Sequence, residues 1–476
     1  MIRKTKIVCT LGPSTDNEET LRKLIQNGMN VARINFSHQT HEQQQVRIDM
    51  FKKVRAELGV PVALLADTKG PEIRLGTFEK PVVLEKGAQF TLSIAEREGN
   101  SSGCKVSFAG LPNDVRRDTR ILIADGLIEL CVDSVTDTEI VCTVINGGMI
   151  SSNKGVNVPG IRLNMPYISS ADRADLRFAM QNDFDFVAMS FTRSADDVLA
   201  IREELERLRC HDMKLIAKIE NAEGVTNIEE ILKVSDGIMV ARGDLGVEVA
   251  LEEIPIIQKK LIRKAYYSGK PVITATQMLE SMMHNPRPTR AEATDVATAI
   301  FDGTSATMLS GETAAGDFPI EALGTMSRII MRTERDIDYK TQFNRYDSDE
   351  SLNVTDAISH ATCAAAHDLN AACIITVTTS GDTAKMISKF RPAVPIVGCS
   401  PSEKSVNQLA LSWGVAPLLI DIKDNTDELF DHAIETAVQN KFALDGDLLV
   451  ITAGVPLGVS GTTNMLRVHV VGDPTL

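Results

Sequence analysis

Short apolar runs rich in Val and Ile recur through the first two-thirds of the chain: KIVCTLG, VARINF, VALLAD, FVAMSF, LIAKIE, GIMVAR, VITATQ and ATMLS. Most pass through a polar or Gly-containing turn into a stretch with helical periodicity, such as NEETLRKLIQNG or SADDVLAIREELERLR. Runs that are apolar on both faces, rather than alternating, are what buried parallel strands require. Eight strand–helix units in series predict a closed (β/α)8 TIM barrel. One connection breaks the rhythm, because roughly 120 residues separate Asp67 from Phe186, several times an ordinary βα unit. That insert contains QFTLSI, RILIADG, IELCVD and EIVCTVI between Gly, Asn and Pro turns, with little helical pattern before Ser169. The pattern predicts an all-β domain over residues 70–165, inserted after strand three of a barrel built from residues 1–69 and 166–345. Strand–helix units resume as VTDAISHATCAAAHDL, ACIITVTTS, TAKMISKF, PIVGCS and DLLVITAG. Residues 346–476 therefore read as a further α/β domain with an open sheet, and the polar segment YKTQFNRYDSDES marks its boundary.

Composition narrows the function without choosing it. The 476 residues are 43% hydrophobic and 24% charged, ordinary for a globular protein with a large core. A formal net charge of −14 with no block of like charge argues against nucleic acid and membrane surfaces as partners, but not against a local basic pocket for a small anion. No apolar run has the length of a membrane span, and MIRKTKIVCTLGPST is too short in its apolar part for a signal peptide. The eight cysteines form no close C-x-x-C pair, which argues against zinc and dithiol chemistry. Reduced, mostly buried thiols and a cytoplasmic location are expected.

The candidate chemistry lies at strand ends. In LIAKIENAEGV, Lys218 and Glu220 stand two apart and so point the same way, at the end of a strand where barrel enzymes place their active sites. A solvated ion pair explains them equally well in isolation. The next strand ends MVARGDLGVE, and Asp244 there can join Glu220 as a second hard oxygen ligand for Mg²⁺, leaving Lys218 free for an anion. Gly243 lets backbone N–H groups approach an anion at a helix start, although an ordinary turn accounts for the same residues. VITATQMLESM brings Thr276 to the rim, as a catalyst or as a packed or capping threonine. VARINFSH presents Arg33, Asn35 and Ser37 at alternate positions, and ALLADTKGPEIR adds Asp67, Thr68 and Arg74. Arg33 suits phosphate or carboxylate. The neutral oxygens with Asp67 suit a monovalent cation, or plain structural hydrogen bonding. His38 has no metal partner in sight. Cations, separated carboxylates and neutral oxygens make up an inventory suited to phosphoryl transfer, yet the chain has no Walker-type or kinase glycine loop.

KLIAKIENAEGV, GIMVARGDLGVE, NVARINFSH, DTKGPEIR, NKGVNVPG and the long run from ITATQMLESM to SGETAAGDFP resemble the pyruvate kinase family, in order and over essentially the whole chain. The resemblance implies transfer of a phosphoryl group from phosphoenolpyruvate to ADP, with Mg²⁺ (or Mn²⁺) and K⁺ as cofactors. By matching motif, Lys218 implies the lysine that stabilises the moving phosphoryl group. Glu220 and Asp244 imply the Mg²⁺ ligands, and Thr276 the residue that helps deliver the proton. Gly243 and Asp244 imply backbone donors to the substrate carboxylate, and Arg33 the phosphate-binding arginine. Asn35, Ser37, Asp67 and Thr68 match the potassium ligands, and Glu72 accompanies potassium dependence. Asn35, Phe36, Ser37 and His38, with Arg74 and Lys154, imply the nucleotide side. Lys154 can reach it only if the β insert closes over the barrel mouth. A homotetramer is implied as well.

Thr378, Thr379, Ser380, Gly381 and Thr383 lie between a strand and a helix and resemble an effector-phosphate loop, with simple capping as the alternative. AGVPLGVSGTTN lacks the tryptophan and arginine of animal-type relatives. That departure points away from fructose 1,6-bisphosphate and leaves a sugar monophosphate, AMP or no effector. With the last residue at Leu476, the extra C-terminal domain that some bacterial relatives carry is not expected. Two other readings stay open: a Mg²⁺-dependent aldolase or lyase barrel acting on pyruvate or oxaloacetate, and a catalytically silent effector-binding relative.

Overall fold

The computed structural model describes residues 2–344, 353–423, 425–455 and 463–473. Eight parallel strands close into a barrel in sequence order: Lys6–Thr10 (β1), Val31–Asn35 (β2), Ala63–Asp67 (β3), Phe186–Met189 (β4), Lys214–Ile219 (β5), Gly237–Ala241 (β6), Val272–Ala275 (β7) and Ala306–Leu309 (β8). Each falls on one of the apolar runs. The reason is visible in the burial: Leu215, Ala217 and Ile219 of β5 pack against the helices, whereas Ile216 joins the cluster inside the barrel. Both faces are dry, so the strands are apolar over most of their length.

The insert is built on a seven-stranded sheet, with a separate pair formed by Val82–Leu84 and Gly148–Ile150. Its own core includes Phe90, Leu92, Leu130 and Ile140. One element was not anticipated, the single helical turn Leu111–Asp114. The chain returns to the barrel at the helix Ser170–Gln181, where Ser169 caps the N-terminus and Asp172 completes a capping box.

The C-terminal domain is an open five-stranded sheet of Cys373–Val377 (β9), Ile396–Ser400 (β10), Val415–Leu419 (β11), Leu448–Gly454 (β12) and Thr463–Val470 (β13). Its order is β11-β10-β9-β12-β13, and β13, an edge strand not singled out in the sequence, runs antiparallel to β12. The segment expected as a boundary begins with the helix Tyr339–Asn344, and its remainder lies outside the described residues. So does most of AGVPLGVSGTTN. This domain seals the barrel floor. Leu411 is buried in the same cluster as Val8, Ile216 and Met239 inside the barrel. Around it Lys6 Nζ donates to Val415 O at 2.6 Å, Gln408 Nε2 to Asp212 O at 2.7 Å, and Lys404 Nζ to Phe184 O at 2.8 Å. All eight cysteines are free, and six are buried. Among the described residues no helix is long and apolar enough to cross a membrane.

Candidate active site

Alternation along a strand decides what reaches the barrel mouth. Val8, Val31, Leu65, Ala188 and Ile216 face the interior. One period further on, in the same five strands or just beyond, stand Thr10, Arg33, Asp67, Ser190 and Lys218. The interior column therefore ends in a polar layer, and all five of these residues are buried.

The layer is one connected network. Arg33 Nε donates to Asp67 Oδ2 at 2.7 Å, and its Nη1 donates to Thr10 Oγ1 at 2.9 Å. Lys218 Nζ donates to Asp67 Oδ1 at 2.9 Å and to Ser190 Oγ at 2.6 Å, and lies 3.0 Å from Glu220 Oε1. Lys218 is thus not free, contrary to the sequence reading. An ammonium this deeply buried needs paired carboxylates to remain charged. Burial alone would lower its pKa, but Asp67 and Glu220 outweigh that and raise it. For Asp67, burial pushes upward and the Arg33 and Lys218 charges more than reverse it.

Glu220 follows β5 directly, and Asn221 ends the strand by capping the helix Ala222–Thr226. Glu220 Oε2 accepts the Phe191 N–H at 2.6 Å. Burial, opposed by Lys218 and reinforced by nearby Asp244, pushes the Glu220 carboxyl up to about 7. Asp244 lies in the first turn of the helix Arg242–Glu248 that follows β6. Two neighbouring carboxylates, one of them raised in part by the other, suit a divalent cation, which takes one or two protein oxygens and completes its shell with substrate and water.

Thr276 sits just past β7 at φ 66°, a left-handed conformation that β-branched residues rarely adopt. Gly243 N–H donates to its Oγ1 at 2.8 Å, and that hydroxyl donates to Ala275 O at 2.6 Å. The Gly243 amide expected to face an anion therefore points at Thr276 instead. Only the Asp244 amide, in the first helical turn, keeps the position of an outward donor.

Asn35 and Asp67 are paired in register on β2 and β3, and Thr68 follows Asp67. Asn35 Oδ1 accepts the Ser37 N–H at 3.0 Å. The four expected K⁺ residues are thus neighbours, and a set of hard, mostly neutral oxygens fits a monovalent cation by its chemistry. His38 is exposed, but the Phe36 ring is buried 5.8 Å from the Phe178 ring and 5.9 Å from that of Phe184. Its side chain is core, so Phe36 can meet a nucleotide only through its backbone.

In the insert, Gly155 pairs with Arg74, and the Leu75 N–H donates to Lys154 O at 2.9 Å, so Arg74 and Lys154 share one edge of the sheet. Arg74 grips Glu72 through Nε at 2.9 Å and Nη2 at 2.7 Å. The residue read as a potassium marker is thus the partner of a residue read as a nucleotide contact. A cleft of about 560 Å³ separates the insert from the β4–β6 side of the barrel mouth, and Glu72, Asn157, Phe191 and Asp244 line it. Asn35–His38, on the β2 rim, is not part of its wall. Arg162 and Glu223 face each other across it at 3.6 Å.

In the C-terminal loop, Gly381 adopts φ 84° and donates its N–H to Thr378 Oγ1 at 3.0 Å. Ser380 Oγ donates to Asp382 Oδ2 at 2.7 Å, and Thr383 bonds Thr463 at 2.9 Å. Thr379 is exposed, but its carbonyl accepts the Ser405 hydroxyl at 2.7 Å. The loop groups are bonded internally, and the Asp382 carboxylate opposes an incoming phosphate.

Sequence reasoning missed Thr10, Ser190 and the Phe191 amide. The first two were within reach, since each lies two residues beyond an interior apolar residue.

The family model described as pyruvate kinase, barrel domain, matches residues 2–323, and that described as pyruvate kinase, alpha/beta domain, matches residues 356–469. A pyruvate kinase of Clostridium acetobutylicum is 48% identical over 472 residues, covering 99% of this chain and 100% of the relative. Those of Geobacillus stearothermophilus and Staphylococcus haemolyticus are each 49% identical, over 99% of this chain and 81% of their own length. With both family models in order on a barrel and an open α/β sheet, the chain belongs to the pyruvate kinase family.

Proposed function

We propose that the barrel mouth moves the phosphoryl group of phosphoenolpyruvate to ADP, and that the enolate so formed takes up a proton to give pyruvate beside ATP. The observation carrying this reading is the buried, charge-balanced layer of Arg33, Asp67 and Lys218 next to the carboxylate pair Glu220 and Asp244. Such a layer holds cations ready, in a dry site, for charge that spreads over the transferring oxygens and the enolate. Arg33 and Lys218 bind the phosphoryl oxygens, Lys218 exchanging a carboxylate contact for the substrate. Thr276, held in its strained conformation, orients the substrate carboxylate side and the water that delivers the proton. Glu220 and Asp244 would hold Mg²⁺, which would supply positive charge for the moving group. Asn35, Ser37, Asp67 and Thr68 would hold K⁺, which would add a further, weaker positive charge at the β2–β3 rim.

Nucleotide phosphates meet Arg74 and Lys154 as the insert closes, with the Asn35–His38 rim opposite. The eight free thiols support a reducing compartment such as the cytoplasm. Exposed Leu251 and Ile256 support assembly into a homotetramer, which light scattering tests.

The deciding experiment is a coupled assay for ATP formation from phosphoenolpyruvate and ADP, with Mg²⁺ and K⁺ each omitted in turn. Turnover that needs both is expected; no ATP under any condition restores the lyase or silent-relative readings. Equal rates without K⁺ remove the potassium site, and a Lys154→Ala variant with an unchanged KM for ADP removes the lid contact. The same assay with AMP and sugar monophosphates tests the C-terminal loop, where a phosphate has to displace the Ser380–Asp382 bond.

A further inference from the structure

At the barrel floor, opposite the strand ends that carry Lys218, a cavity of about 250 Å³ lies between the barrel and the C-terminal domain. Lys214, Asp236 and Lys270 line it from the barrel, at or just before the starts of β5, β6 and β7, and Asp382 and Lys385 line it from the C-terminal domain. It shares the walls of Lys270 and Lys385 with an inner pocket of about 20 Å³, which ends at Arg391 and Trp413.

Arg391 is the unusual residue. It is 7% exposed, with its guanidinium 4.4 Å from the Trp413 ring centre and 5.4 Å from that of Tyr266. Nη2 donates to Gly303 O at 3.0 Å and Ser305 Oγ at 3.1 Å, but buried Nη1 has no hydrogen-bond partner. Among the described residues no carboxylate forms an ion pair with Arg391 or with Lys214. Asp236 is already bonded to Arg202 at 3.2 Å and to the Leu215 N–H at 2.9 Å. Lys385 is paired with Asp382 at 3.3 Å, but among the described residues Lys214, Lys270 and Arg391 have no carboxylate in an ion pair, so the cleft holds more positive charge than it neutralises. Burial accordingly depresses the pKa of Lys270 and Lys385 and takes that of Arg391 down to about 10.

We propose that this cleft binds a small organic carboxylate, one oxygen of which meets Arg391 Nη1 in the inner pocket while the rest lies beside Lys214, Lys270 and Lys385. Size selects the group. The inner pocket has room for about one water-sized atom, and behind a leading oxygen a flat carboxylate is narrower than a tetrahedral phosphate, so the carboxylate fits the narrow entrance better. Such a ligand ties the C-terminal domain to the first residue of β5, whose other end carries Lys218.

The test is calorimetric titration of the full chain with succinate, and with inorganic phosphate and uncharged succinamide as controls. Succinate should bind and the two controls should not. A Lys214→Gln/Lys385→Gln double variant should lose at least about tenfold in succinate affinity, because each lysine offers a charge-assisted contact, while turnover without succinate stays unchanged. Arg391→Lys should lose as much where it folds, and the double variant keeps the test valid where it does not. Lys218→Met should retain binding, which separates the cleft from the barrel mouth. The proposal is overturned if succinate does not bind, if phosphate binds equally well, if the double variant binds normally, or if Lys218→Met abolishes binding.

Discussion

Thr276 holds a left-handed backbone while its hydroxyl accepts the Gly243 N–H, so strain and hydrogen bonding meet in one side chain. A β-branched residue in that region costs on the order of 1–3 kcal/mol, which the surroundings must supply. Thr276→Gly should release the strain and lose the hydroxyl together. Turnover is expected to fall sharply while thermal stability is unchanged or raised, and a stability loss above about 2 kcal/mol by denaturation would show that the strain argument fails. Lys218→Met behaves oppositely. It leaves the buried carboxylates of Asp67 and Glu220 without their shared cation, so it should cost about 3–5 kcal/mol in urea unfolding. Its kcat should drop by about 10²–10³-fold or more, as for loss of one preorganised charge partner. The direction of each residue was legible from period two. The pairing of Lys218 was not, because Asp67 lies 151 positions away and only barrel closure brings them together.

At the scale of elements, the passage from barrel to insert is held tightly. Gly70, just past β3, has φ 69°, and a Cβ there would lie 2.8 Å from Ser190 O and 2.9 Å from Ser190 Cβ. Its N–H donates to Asp172 Oδ1 at 3.0 Å, and on the returning segment Tyr167 Oη donates to Ser190 O at 2.9 Å. Both crossings thus lean on the residue whose hydroxyl accepts from Lys218. Gly70→Ala should therefore lower stability by about 1–3 kcal/mol and also reduce kcat. Normal turnover in a destabilised variant would uncouple the hinge from the site. The insert itself was readable because alternating strands and turn residues are local signals. That Lys154 and Arg74 share an edge was not, since it depends on pairing two short strands from opposite ends of the insert.

For the whole molecule, the seam between barrel and C-terminal domain carries titratable weight. Burial, only partly offset by Lys404, pushes the Asp185 carboxyl up to about 6. Its Oδ2 accepts the Leu64 N–H at 2.8 Å, and Lys404 of the C-terminal domain lies 3.7 Å from Oδ1. A raised acid favours the neutral form in the fold, so wild type loses stability as pH climbs from about 4 to 6 and then levels off. Asp185→Asn should escape that loss: its Tm relative to wild type should rise across this window, by an amount corresponding to at most roughly 3 kcal/mol. A difference constant from pH 4 to 8 would refute the assignment. This seam left little trace in the sequence because much of it is made of backbone carbonyls, those of Val415, Asp212 and Phe184, which no residue pattern encodes.

Leu411 gives that seam a consequence in time. The barrel interior is completed by a side chain synthesised about a hundred residues after β8, although chains emerging from the ribosome tend to fold N-terminal domain first. Until Leu411 arrives, the nascent barrel presents Val8, Ile216 and Met239 at an open floor. Translation through the first three-quarters of the message thus leaves that apolar floor uncovered, and the last quarter supplies the stopper that covers it.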